Sequence, residues 1–141
     1  NTIIASAIEL FLNYCLRFYD RQFITRKKAN KDILTQFEEL TDNYFISGNA
    51  EKHGTPTVAW CADKLHLSAN YFGDLIKKET GKSAQEYIQQ KTMEVAKDLL
   101  STTSKSISEI AYYLGYQYPQ YFSRAFKKIV GKTPNEFRTI S

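Results

Sequence analysis

The sequence predicts an all-α fold made of two helix-turn-helix modules, a long helix between them and a helical extension at the N-terminus. Apolar residues recur at helical spacing along most of the 141 residues, and the alternation typical of β-strands is nearly absent. Proline occurs only three times. One residue pattern also occurs twice, about fifty positions apart, and each copy predicts a helix, a turn and a second helix.

The first predicted helix has a broad apolar face. Its members recur at alternating spacings of four and three residues: Ile4, Ile8, Phe11, Cys15 and Phe18. This face is wider than a surface helix of a monomer needs. We expect it to pack against the next helix of the same chain. A homodimer seam, or a face covered by a domain outside this sequence, is the alternative, because the chain opens within the apolar pattern and at Asn1 instead of Met.

The basic stretch Arg26-Lys27-Lys28 is expected to separate this helix from a second one. The apolar side of the second helix comprises Ile33, Phe37, Leu40 and Tyr44. Residues 47–56 are rich in Ser, Gly, Asn, Thr and Pro and are predicted to be a linker. Residues 1–50 are therefore predicted to be a helical extension, either a connection to a missing sensor domain or a dimer segment.

Capping residues mark the helices of the first copy. Thr55 or Thr57 begins a short helix that ends near residue 65, and Ser68 begins another that runs to about residue 79. Gly81 is expected to end it in a left-handed conformation. Ser83, followed three residues later by Glu, forms a capping box that begins a long helix over about 84–100.

The second copy repeats this order. Ser106 begins a short helix and Gly115 ends it. The next helix is predicted over 119–130 and stops at Gly131. Thr133 then caps a final helix that has proline at its first position, where the missing N–H is tolerated.

Both copies meet the needs of a helix-turn-helix. Ala62 and Ala111 are small enough for the close approach of two helices, and His66 and Gly115 stand where the turn requires positive φ. The apolar positions expected inward on the second helices are Phe72, Leu75, Ile76, Phe122, Ala125, Phe126 and Ile129. Polar residues remain outward. A connecting helix of about seventeen residues would rise roughly 25 Å. With the offset of the modules added, the separation of the two second helices approaches the roughly 34–36 Å between successive major grooves of DNA.

Charge is distributed unevenly along the chain. Residues 1–50 hold six basic and six acidic residues, whereas residues 51–141 hold thirteen basic and nine acidic. The net charge of +4 therefore lies in the repeated part, as a polyanionic partner would favour. No long uncharged apolar run predicts a membrane span, and no signal peptide is evident. Cys15 and Cys61 lie on apolar stripes, which predicts reduced core thiols in a cytoplasmic protein.

The second copy resembles a known family. Within residues 108–138, the strings Ser-Glu-Ile-Ala-Tyr-Tyr-Leu-Gly-Tyr, Tyr-Phe-Ser-Arg-Ala-Phe-Lys-Lys and Gly-Lys-Thr-Pro-Asn-Glu-Phe-Arg resemble the pattern of AraC/XylS-type bacterial transcription regulators. Residues 67–83 resemble the first module of that family. The resemblance implies a double helix-turn-helix DNA-binding domain over 57–141, with modules at about 57–82 and 106–131. It also implies double-stranded DNA as partner and, as in many members, a ligand-sensing or dimerising domain on the N-terminal side. No cofactor is expected.

The resemblance carries the base-reading positions of the family onto both modules. In the first they are Asn70, Gly73 and Asp74, and in the second Gln120, Tyr121, Ser123 and Arg124. Because Gly73 lacks a side chain and Asp74 is anionic, we expect the second module to discriminate more between sequences. Tyr118 departs from the family pattern, in which a capping Ser or Asp is more usual. The matched pairs Lys77, Lys78, Lys127 and Lys128 are expected to contact phosphates.

Plainer interpretations remain open for several of these residues. Arg124 and the lysine pairs are also typical of solvated helix faces, and Tyr71 and Tyr121 are typical packing residues. A helical module that docks an acidic protein partner is the alternative function. The spacing of His and Cys fits no zinc site, no catalytic constellation stands out, and no sheet or loop platform favours RNA. An enzyme is the least favoured class.

Overall fold

Side-chain caps and left-handed glycines set most helix ends where the sequence predicted them. The computed structural model describes the backbone of residues 2–140 and the side chains of residues 3–15, 17 and 26–140. Over this range the chain forms eight helices and no strand. They are α1 (Thr2–Ile46), α2 (Asn49–His53), α3 (Val58–Lys64), α4 (Ala69–Thr80), α5 (Ala84–Thr102), α6 (Ile107–Tyr113), α7 (Pro119–Val130) and α8 (Pro134–Ile140). The all-α prediction, with modules α3–α4 and α6–α7 joined by α5, is confirmed.

The N-terminal segment forms one helix instead of the two that the sequence predicted. Helix α1 is 45 residues long and passes through the basic stretch at 26–28 without a break. The reason is local, since residues 2–46 contain neither glycine nor proline and Arg and Lys are good helix formers. None of the described helices, α1 included, combines the length and hydropathy needed to cross a bilayer.

The predicted packing of the first apolar stripe on the second helix is wrong. A continuous helix cannot fold back on itself, and Ile4, Ile8 and Phe11 are 60%, 56% and 67% exposed. Cys15, expected in the core, is only partly covered. Phe18, the last residue of the stripe, lies outside the described side chains. This part of α1 therefore presents its apolar face outward.

Two hydrophobic clusters lie beneath the two modules, and the same two long helices contribute to both. The first cluster contains Phe37 of α1 and Ile88 of α5, packed with Phe72 and Ile76. The second contains Tyr44 and Phe45 of α1 and Met93, Ala96 and Leu100 of α5, packed with Ile110, Phe122 and Phe126. Helix α1 thus belongs to the core of the repeated part, although the sequence repeat begins after it.

The predicted linker at 47–56 is partly helical and is docked on the second module. Ala50 of α2 is fully buried in the second cluster. The hydroxyl of Tyr44 donates to the carbonyl oxygen of Gly54 at 2.6 Å, and the hydroxyl of Tyr113 donates to the carbonyl oxygen of Phe45 at 2.9 Å. Tertiary contacts therefore hold a segment whose composition is typical of a mobile loop.

Candidate nucleic-acid interface

Helix α4 is anchored by its buried side and capped at both ends. The Ser68 hydroxyl accepts from the backbone N–H of Tyr71 at 3.2 Å, and Gly81 ends the helix at φ 76°. Phe72, Leu75 and Ile76 are buried as predicted. The side away from the core holds the predicted site residues, of which Asn70, Asp74, Lys77 and Lys78 are exposed. Gly73 is partly covered and contributes backbone only.

Helix α7 presents the corresponding face in the second module. Phe122 and Phe126 are fully buried. Ala125 is partly covered, but Ile129, predicted to point inward, is 38% exposed. Its counterpart in α4 is Glu79, so this position lies at the edge of the packed side. The exposed face carries Gln120, Tyr121, Arg124, Lys127 and Lys128, with Ser123 partly covered beside them.

The start of α7 differs from that of α4. Tyr118 is the N-cap residue and its side chain accepts no hydrogen bond from the helix. Its ring instead packs edge-to-face on Tyr121, with centroids 5.3 Å apart. Both rings remain about half exposed, at 45% and 50%. Tyr121 therefore packs against a neighbouring ring and still exposes part of its surface. Tyr71, at the matching position of α4, is 53% exposed.

The lysine pairs occupy the last turns of their helices. Lys77 and Lys78 are in the last turn of α4, and Lys127 and Lys128 are in the last turn of α7. Cations at this end also interact favourably with the negative pole of the helix dipole. Their placement is therefore compatible with helix stabilisation and with phosphate contact, and exposure keeps them available to a ligand.

The turns have the backbone geometry that the sequence predicted. His66 adopts φ 59° and Gly115 adopts φ 95°. Each turn is closed by an equivalent hydrogen bond, from Leu67 N–H to the Ala62 carbonyl at 2.9 Å and from Tyr116 N–H to the Ala111 carbonyl at 3.0 Å. Both alanines are buried. The two modules therefore share one turn design despite different turn residues.

Two contacts near the modules were not anticipated from the sequence. A Cβ atom on Gly115 would lie 2.5 Å from the carbonyl carbon of Gly54, so this glycine is required by a close backbone approach as well as by its φ. The Arg138 guanidinium donates through Nε to the Leu100 carbonyl at 3.1 Å and through Nη2 to the Thr103 carbonyl at 3.4 Å. Arg138 thus caps the C-terminal end of α5.

Burial also alters two reactive side chains, Cys61 and Tyr116. Cys61 is fully buried, and burial raises the pKa of its thiol to about 11, so it stays protonated at neutral pH. Burial also raises the pKa of the Tyr116 hydroxyl. In the part of the chain that the structure describes, no three His, Cys, Asp or Glu side chains are grouped as metal ligands.

The chain contains two helix-turn-helix units, and the second helix of each exposes a polar face. These features define the chain as a DNA-binding domain of the double helix-turn-helix class. A family model described as a helix-turn-helix domain matches residues 61–140. The chain is 36% identical to the C-terminal domain of the two-component response regulator yesN from Fusobacterium nucleatum, with a TM-score of 0.60 over 72% of this chain and 96% of that one. The chain therefore belongs to the AraC/XylS-type family of helix-turn-helix transcription regulators.

Curated relatives agree with this class and are much longer. The chain is 33% identical over 111 residues to the uncharacterized HTH-type transcriptional regulator YtdP of Bacillus subtilis. The aligned region covers 79% of this chain and 14% of that protein. It is 39% identical over 107 residues to the bifunctional transcriptional activator/DNA repair enzyme AdaA of Bacillus subtilis. That aligned region covers 76% of this chain and 49% of that protein. The chain spans less than half the length of these two relatives.

Proposed function

We propose that this chain is the DNA-reading part of a sequence-specific transcription regulator, and that α4 and α7 enter two adjacent major-groove segments. The observation that supports this most directly is the matched exposure of the two helices. Each buries its aromatic side in a separate cluster and leaves a polar face with a lysine pair in contact with solvent. In this proposal residues 57–141 form the DNA-binding domain and residues 1–50 a helical extension.

The connecting helix supports a fixed separation between the two modules. Helix α5 has 19 residues, which correspond to a rise of roughly 28 Å at about 1.5 Å per residue. The offset of each module adds to this length, and successive major grooves on one side of DNA lie roughly 34–36 Å apart. Bending of the duplex would bring both segments into register, at a cost that depends on sequence.

The two modules would contribute unequally to sequence discrimination. Gln120, Ser123 and Arg124 offer donors and acceptors suited to base edges, and Arg pairs well with guanine. In the first module Asn70 is the only uncharged side chain among the proposed base contacts, and Asp74 would have to accept from cytosine. The lysine pairs would position both helices through phosphates.

For the whole protein we propose the arrangement common in this family. A sensor domain would precede α1, the protein would act in the cytoplasm, and a homodimer would place two such chains on one operator. No catalytic residue or cofactor is assigned to this chain. The alternative, docking of an acidic protein partner, is less favoured because the family match over residues 61–140 includes most of the first module and all of the second. The relatives of this chain are also named as transcription regulators.

Selection of bound sites from a random DNA pool tests the proposal. Two engaged modules should enrich a bipartite site with information in two segments about 10 base pairs apart, one helical turn. Repeating the selection with Arg124→Ala should erase preference in one segment, whereas Arg17→Ala, exposed on α1, should leave both unchanged. Enrichment confined to one segment would refute engagement of both modules. No enrichment at all would refute sequence-specific binding and favour the protein-docking alternative.

A further inference from the structure

The face of α1 that packs on the first module continues to Arg26. Phe37 contacts Phe72 edge-to-face, with ring centroids 4.9 Å apart. About two turns earlier on α1, the Asn30 side-chain amide approaches the Glu79 carboxylate at 3.5 Å. Arg26 precedes Asn30 by four residues and therefore lies on the same side of the helix. This face runs along α4 from its buried aromatic residue to its C-terminal turn.

A surface groove separates this end of α1 from the exposed face of α4. Its lining residues are Arg26, Asn30, Tyr71, Asp74, Leu75 and Lys78. Asp74 and Lys78 belong to the proposed DNA-binding face, so Arg26 borders that face directly. Arg26 is exposed and forms no ion pair with a described carboxylate. Its guanidinium is therefore accessible to a ligand that α4 binds.

The dimensions of DNA define what Arg26 would meet. The major groove is about 12 Å wide, and an α-helix with side chains is roughly 10–12 Å across. Helix α4 would therefore fill the groove, and a group beside it would face the sugar-phosphate wall instead of the base edges. Guanidinium groups pair with phosphate through two parallel hydrogen bonds.

We propose that Arg26 binds a phosphate at the wall of the major-groove segment that α4 occupies, so that α1 supplies a DNA contact from outside both helix-turn-helix modules. This inference rests on the proposed entry of α4 into the major groove. It assigns a ligand-binding role to Arg26 alone of the basic stretch, and it makes the position of α1 part of the DNA footprint.

The test compares two charge-removing variants on the same helix. Lys28 is exposed and lies about 200° around α1 from Arg26, since each residue turns the helix by about 100°. Arg26→Gln and Lys28→Gln each remove one positive charge. Binding to a mixed-sequence duplex of about 30 base pairs, roughly three helical turns, is followed by fluorescence anisotropy between about 50 and 200 mM salt.

One lost phosphate contact lowers the slope of log affinity against log salt by about 0.9. For Arg26→Gln, the ratio of affinities at the two salt limits should therefore fall about 3.5-fold relative to the parent. Lys28→Gln should leave the slope within error of the parent. An equal change in both variants, or no change for Arg26→Gln, would overturn the inference.

A second background separates phosphate contact from an effect through Asp74. If Arg26 acts by offsetting the charge of Asp74 and does not contact phosphate, Arg26→Gln should no longer change the salt slope once Asp74→Asn has removed that charge. Phosphate contact predicts the same loss of slope when Arg26→Gln is made in the Asp74→Asn protein, and disappearance of the loss would overturn it.

If the parent itself showed no salt-dependent DNA binding, the proposed function would fail as well. If the parent binds DNA and Arg26→Gln leaves the salt slope unchanged, this inference alone is overturned.

Discussion

Arg124 and Asp74 occupy matching positions on α7 and α4 and carry opposite charges. Both are exposed, so neither charge is explained by packing. An arginine opposite a guanine gains two hydrogen bonds, whereas a carboxylate near phosphates is repelled unless it accepts from a cytosine amino group. At the residue scale, this difference is the physical basis for expecting unequal discrimination by the two modules.

Arg124→Ala should therefore weaken binding to the selected site by about 1–3 kcal/mol and binding to mixed-sequence DNA far less. The reason is that a base contact is lost only where the correct base is present. Titrations of both duplexes at one salt concentration measure the difference. Equal weakening on both duplexes would show that Arg124 contacts only the backbone.

Gly115→Ala should lower the free energy of unfolding by about 2 kcal/mol or more, because a left-handed conformation alone costs an L-residue about 1–2 kcal/mol. The added methyl group would also meet the Gly54 backbone at 2.5 Å. Gly73→Ala is the matched control, since it lies within α4 at ordinary φ with nothing within 4 Å of an added Cβ. That change should stabilise by roughly 0.5–1 kcal/mol. Urea denaturation measures both, and equal effects would contradict the close approach.

At the scale of elements, the helix caps explain why the boundaries in the repeated part were predictable. Thr57, Ser68, Ser83 and Ser106 each accept a backbone N–H three residues ahead, at 3.1–3.2 Å. Such caps depend on residues close in sequence. The boundary predicted within 1–46 was wrong because charge alone does not end a helix.

The lysine pair of α7 gives the prediction at this scale. Lys127→Ala should weaken binding to all DNA sequences and lower the salt slope by about 0.9, because one phosphate contact is lost. Lys52→Ala, exposed in α2 and outside both modules, is the matched control. Affinities measured across the salt series decide the point. A slope that stays at the parental value would assign Lys127 to stabilising the C-terminal turn of α7.

At the scale of the whole molecule, α1 and α5 connect the packing of the two modules. Each helix places residues in both hydrophobic clusters. An ion pair between Lys91 Nζ and Asp42 Oδ1 at 2.9 Å also connects them, although exposure of Asp42 limits its contribution to stability. Helix α1 therefore takes part in the packing of both modules.

Phe45→Ala tests this coupling, because Phe45 precedes both modules yet is 2% exposed in the second cluster. The change should destabilise the protein by about 3–5 kcal/mol through lost burial and the cavity left behind. Hydrogen exchange at the amides of α6 and α7 should accelerate accordingly. Ile46→Ala, at a neighbouring position that is 77% exposed, should have little effect. Similar exchange rates in the two variants would show that α1 does not stabilise the second module.

The sequence by itself determined the helical class, the duplicated modules, their caps and the composition of the two exposed faces. Within each copy these features depend on residues one or two turns apart, so periodicity and capping patterns predict them, and comparison of the two copies shows the duplication. Even the positive φ of His66 follows from its place in the repeat. The candidate site was therefore predictable as two separate faces, each carried by one helix.

Only the tertiary structure decided how residues 26–56 relate to the modules. The Gly54–Gly115 approach and the Tyr113–Phe45 hydrogen bond join residues more than sixty positions apart. The groove beside α4 likewise brings Arg26 to Asp74. Contacts of this kind depend on how packed helices cross in space, and a local pattern carries no information about that. For this reason a segment with the composition of a linker contributes Ala50 to the core.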